Sequence, residues 1–251
     1  MPPLSEAQPR FTFKAGPIAI TFVLSLVIPG LAVGLTVLST RFLHTPSYQQ
    51  FIAWIYVHHT FQVLLALIAI AFMRRRVPAD YGLHWPRGKT YIVPAILWGA
   101  FFGVAINLVG FAPEIIAHKA PELGYKLTTP NVLGWLFFEG IYVGPTEEIP
   151  FRALLVTYLA TTMPGRVRLG RYEMNWAGVI VAVFFALGHA NSFFTSPWPQ
   201  ALVQQVFAFS LGVLYAYWLE KSQSVIAPII GHNMGDLVAQ GTTFLWVWLA
   251  S

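Results

Sequence analysis

The chain has 251 residues, 56% hydrophobic and only 10% charged, with a formal net charge of +5. Soluble domains carry about 25% charged residues, so an ordinary soluble globular protein is excluded and a polytopic membrane protein is indicated. With no cysteine, disulfides, thiol catalysis and Cys-ligated zinc are excluded too, and the small basic excess reads as loop bias across a membrane rather than as nucleic-acid binding.

A bilayer core takes about 20 mostly apolar residues per helix. Such runs lie at 17–39, 51–73, 91–112, 132–160, 176–194, 200–220 and 224–250. They predict an all-α bundle of seven spans, or eight if the long fourth or seventh is broken, in one integral membrane domain over 1–251. The opening MPPLSEAQPRFTFKAG has no small-residue cleavage site, so the first run is expected to stay as a span. With the N-terminus inside, Arg10, Lys14, Arg74, Arg75, Arg76, Arg87, Lys89, Arg166, Arg168, Arg171 and Lys221 fall in cytoplasmic segments. Arg41, Lys119 and Lys126 fall outside. That asymmetry predicts a cytoplasmic N-terminus. The arginines of RRRVPADYGLHWPRGK mark topology first, and they also suit anionic lipid headgroups. GAFFG (Gly99, Gly103) and GHNMG (Gly231, Gly235) fit the small-residue spacing of closely packed membrane helices. No internal repeat is visible, which argues against an inverted-repeat transporter.

Ionisable residues inside a membrane are expensive, and function is their default reading. The fourth run holds Glu139, Glu147, Glu148 and Arg152, the fifth His189, the seventh His232 and Asp236. Counted from the basic ends of their runs, Glu147 and His189 lie about 20 Å deep and His232 about 10 Å. One polar cavity opening to the cytoplasm is therefore expected. Glu148 and Arg152, at i and i+4, share a helix face and are expected to pair. Glu147 points about 100° away, free to face the histidines. Pro145 and Pro150 flank the pair and predict a distorted helix. His232 and Asp236 are again i and i+4. His58 and His59 read as packing or interfacial residues, Glu139 as non-catalytic, and Asn107, Gln204 and Gln205 as interhelical hydrogen-bonders.

EEIPFR fits E-E-x-x-x-R, FALGH fits F-x-x-x-H (Phe185, His189) and HNMGD fits H-x-x-x-N/D (His232, Asp236). In order and separation they resemble the CPBP family of intramembrane proteases, which includes type II CAAX prenyl endopeptidases and bacteriocin-immunity-type proteins. The motif region is about 132–240. The resemblance implies about eight spans around a conical cavity, in a bacterial or archaeal plasma membrane rather than the endoplasmic reticulum. It implies Glu147 as the base that activates water, His189 as the group that holds that water, and His232 with Asp236 at the oxyanion site. Glu148 with Arg152 would be a positioning pair. Where the family has Asn or Asp, Asp236 either donates while protonated or orients His232. The implied substrate is a membrane-associated peptide or a lipidated protein, a prenylated CAAX end being the type case, with no cofactor. Two other readings stand beside it. One is a zinc peptidase using Glu147, His189 and His232 as ligands. The other is a non-catalytic scaffold, immunity or partner-binding protein.

Overall fold

The computed structural model describes residues 13–42 and 47–250; Arg10 lies outside them. Seven long helical elements follow the apolar runs: α1 (Ala15–Thr40), α2 (Ser47–Met73), α3 (Ile92–Gly110), the composite α4 over 129–162, α5 (Trp176–Gly188), α6 (Trp198–Ser222) and α7 (Ile226–Ala250). Short helices Ala112–Ile116 and Ser192–Thr195 follow α3 and α5. Among the described residues five helices are long and apolar enough to cross a membrane: Ala15–Thr40, Ile52–Met73, Ile92–Gly110, Trp176–Thr195 and Trp198–Ser222. Seven or eight were expected; α4 and α7, which carry the ionisable groups, are the two long elements outside that set.

The boundaries have local causes. Asn175 caps α5 by accepting from the Ala177 N–H at 2.8 Å. Pro199 stands in the first turn of α6, where its missing N–H costs nothing. Helix α6 ends at Gln223, in the left-handed region at φ 55°, and Ser224 begins the tight turn into α7. The loop after α2 is fastened to that turn: the Val225 N–H donates to the Gly82 carbonyl at 3.0 Å, and Tyr81 is fully buried. The all-α expectation has one exception. Strands β1 (Arg166–Leu169) and β2 (Tyr172–Asn175) form an antiparallel hairpin outside the spans. Gly170, at φ +62°, supplies the left-handed turn residue between them. Arg166 ties the hairpin to α6 through Glu220 Oε1 at 2.7 Å.

Helix α4 is the axis of the bundle. From Phe151 to Leu159 every side chain is buried, against α1, α2, α5 and α6. Buried polar groups on this helix therefore face protein, not lipid. Helices α3 and α7 make the closest pair. A Cβ on Gly99 would collide with the Gly231 carbonyl, and one on Gly103 with the Gly235 carbonyl, so the backbones touch where the glycine spacing put them. Gly103→Val is expected to force these helices apart and cost about 1–3 kcal/mol, read as a lowered midpoint of thermal unfolding in detergent. An unchanged midpoint would show the contact to be slack.

Candidate active site

Two prolines shape the middle of α4. Each lacks the N–H that would bond the carbonyl four residues earlier, and around them the helix widens into π turns, Phe138–Tyr142 and Ile149–Val156. The freed carbonyls are taken by amides from neighbouring helices. For Pro150 the carbonyl is that of Thr146, which accepts from Gln62 Nε2 of α2 at 3.0 Å. For Pro145 it is that of Ile141, which accepts from Asn233 Nδ2 of α7 at 3.2 Å. The Asn233 Oδ1 also accepts from the Gly144 N–H at 2.7 Å. Neither Gln62 nor Asn233 was singled out from sequence, although the prolines announce two carbonyls in need of donors. Gln62→Leu is expected to lower stability by about 1–3 kcal/mol, the cost of one orphaned buried polar group, with unfolding in detergent as the measurement.

The short α stretch between the π turns, Val143–Glu148, carries both glutamates. Glu148 is fully buried and Arg152 is 1% exposed, with Arg152 Nε 3.1 Å from Glu148 Oε2. That contact is close but not aligned as a hydrogen bond, and the terminal guanidinium nitrogens have no hydrogen-bond partner among the described residues. The guanidinium instead lies over the Phe185 ring at 4.2 Å and the Tyr215 ring at 5.5 Å, where the aromatic faces stabilise its charge. Glu148 Oε1 accepts from His232 Nδ1 at 2.6 Å. On the other side of that ring, Nε2 is 3.1 Å from Asp236 Oδ2 and 3.9 Å from Glu147 Oε2. His232 is thus held between carboxylates at both nitrogens and stacks on Tyr215.

Glu147 differs from its neighbour. Its side chain is 16% exposed, and it makes no direct hydrogen bond among the described residues. Its oxygens stand 4.0 Å from His59 Nε2 and 3.9 Å from His232 Nε2, beyond direct bonding distance. His59, read from sequence as packing, is therefore at the site: its Nδ1 is 2.9 Å from Thr146 Oγ1, and that hydroxyl already donates to the Val143 carbonyl, so the imidazole is the donor. Tyr56, His59 and Thr60, at i, i+3 and i+4, put polar groups on one face of α2, a visible signal.

His189 closes α5. Its Nδ1 donates to the Phe185 carbonyl at 2.9 Å, which leaves Nε2 as an acceptor. The ring packs edge-on to Phe185 at 4.9 Å, and Phe185 also contacts His232. Phe185 is thus the common wall of both histidines and of Arg152.

A cavity of about 550 Å³ reaches this cluster. Glu139, His189 and Asp236 lie at its inner end, and Tyr125, Thr195 and Gln200 stand nearer the loops. Glu139, read as non-catalytic, is a cavity wall. The expected direction of opening is reversed. The cavity runs toward the loops after α3 and α5, away from the end that holds the arginine-bearing segments. At that basic end Met163, Trp218, Ser222, Ser224 and Val225 are buried and closed. Among the described residues no group of three or more His, Asp or Glu is placed to hold a metal ion.

Residues 129–238 match the family model of type II CAAX prenyl endopeptidase Rce1-like proteins. No curated protein and no solved structure shows significant similarity to the chain. The matched stretch begins at the start of α4 and ends just past Asp236, so it spans Glu147, Glu148, Arg152, His189, His232 and Asp236 but not His59 of α2.

Proposed function

We propose that this integral membrane protein, whose residues 129–238 carry an Rce1-like type II CAAX prenyl endopeptidase domain, is a glutamate-dependent endopeptidase working at the inner end of its cavity. The observation that carries the reading is the contrast between adjacent glutamates. Glu148 is sealed and committed to Arg152 and His232, whereas Glu147 is partly exposed and has only imidazole nitrogens at 3.9 and 4.0 Å, beyond direct bonding. A general base must reach the water it deprotonates, and Glu147 fits that role.

In this mechanism Glu147 takes a proton from water while the water oxygen attacks the scissile carbonyl carbon. The Nε2 lone pair of His189 accepts the second water hydrogen and fixes the attack direction. The tetrahedral oxyanion is met by the Nε2–H of His232, which rests against Asp236 Oδ2 at 3.1 Å and is shared with the oxyanion as it forms, while Glu148 anchors the ring at Nδ1. Collapse breaks the C–N bond, and Glu147 returns its proton to the leaving amine. Asp236 is a positioning residue here: it lines the cavity, and its Oδ2 lies 3.1 Å from His232 Nε2. Arg152 positions Glu148.

The test uses purified wild type and Glu147→Gln with two fluorogenic peptides, one farnesylated at a CAAX end and one matched but unlipidated, each with and without a chelator. Wild-type cleavage that survives chelation and disappears in the variant supports the mechanism. Equal cleavage by both proteins would sink it, and chelator-sensitive cleavage would return the site to zinc chemistry.

A further inference from the structure

Which face the cavity opens on follows from two independent features. The first is the placement of cations. Lys14 bonds the Thr162 carbonyl, Arg166 and Lys221 meet at Glu220, and the loop carrying Arg74, Arg75, Arg76, Arg87 and Lys89 docks on the turn before α7. The hairpin adds Arg168 and Arg171. These all lie at one end of the bundle, while among the described residues only Arg41, Lys119 and Lys126 lie at the other. Lysine and arginine in short loops mark the cytoplasmic side. The second feature is the cavity itself, which opens at the cation-poor end. From the basic end the cluster is blocked, since Glu148 and Arg152 are buried between it and the closed turn.

The cavity lining narrows what enters. The lining is mixed: Phe111 and Val203 are apolar, Gln200 and Gln240 are amides, Glu139 and Asp236 are carboxylates, and neither lysine nor arginine lines it among the described residues. Carboxylates with no cation at the wall suit a peptide segment that brings its own positive charge.

We infer that the cavity is entered from the non-cytoplasmic face and takes a net-basic peptide segment on that side. The occupant's role as substrate rests on the proteolytic reading above; the side of entry does not.

The chain contains no cysteine, so single cysteines report position without background. Thr195→Cys sits at the cavity wall and Gly124→Cys in the adjoining loop, where an added side chain meets open space. Trp85→Cys sits at the opposite, basic end, at a position 64% exposed. Each full-length variant is treated with a membrane-impermeant maleimide in intact bacterial host cells and again after lysis. The inference expects Thr195→Cys and Gly124→Cys to react before lysis and Trp85→Cys only afterwards. It further expects a lysine-containing soluble peptide, added in excess, to slow labelling of Thr195→Cys several-fold more than a matched acidic peptide does. If both cavity-end cysteines stay silent until lysis, or Trp85→Cys reacts before it, the side is overturned. Equal protection by the two peptides overturns the basic-segment assignment. None of these readings depends on cleavage, so failure here leaves the Glu147 chemistry standing, and loss of that chemistry leaves the side of entry intact.

Discussion

Glu147→Gln is expected to fold as the wild type does and to cleave about 10²–10⁴-fold more slowly. Gln preserves the shape of the side chain and removes only the proton acceptor. Nothing else in the cluster leans on that acceptor, since Glu147 makes no direct hydrogen bond among the described residues and its nearest imidazole nitrogens are 3.9 and 4.0 Å away. The unfolding midpoint should therefore stay within the scatter of the wild type while turnover falls. The same change at Glu148 should behave differently. That residue is fully buried and touches both Arg152 and His232, so Glu148→Gln should lose stability and activity together. If the two variants proved alike in both measurements, the division of labour between the glutamates would be wrong.

Arg152→Met is expected to be the most destabilising single change, by about 3–5 kcal/mol, the cost of leaving a buried charge without its partner. Glu148 would keep only His232, in a site from which water is excluded. Met retains much of the volume between Phe185 and Tyr215, so the loss measures charge more than packing. The double variant Glu148→Gln, Arg152→Met removes both charges and should recover a large part of the deficit. Detergent unfolding of the two singles and the double gives the coupling directly. Additive losses would mean that the contact contributes little.

Much of the architecture was legible because its signals are one-dimensional. Apolar run length placed seven helices, glycine spacing marked close packing on α3 and α7 without naming them as partners, and i, i+4 spacing placed Glu148 against Arg152 and His232 beside Asp236. What escaped the sequence depended on the azimuth of one helix relative to another. His59 lies one α2 turn from the Gln62 that caps α4, but no spacing rule says which face of α2 meets α4. Two π turns shift the register of α4 around Glu147, and ideal helical geometry has no term for them. The hairpin was missed although RVRL and YEMN alternate around a glycine, because four-residue strands are too short to stand out beside apolar helices. The cavity's direction was misjudged by counting depth from the basic ends of the helices. Distance along a helix locates a residue but does not say from which side it is reached.

The capped carbonyls just ahead of Glu147, those of Ile141 and Thr146, bear on when the molecule becomes competent. An unpaired carbonyl in hydrocarbon costs several kcal/mol, so α4 cannot settle into its widened shape alone. Gln62 is synthesised before α4, but Asn233 and His232 arrive later, on α7. On the proposed mechanism the nascent chain holds its base early and lacks its oxyanion group until α7 has been made. Biogenesis would then keep an immature hydrolase silent in the membrane, with docking of α7 as its activation step.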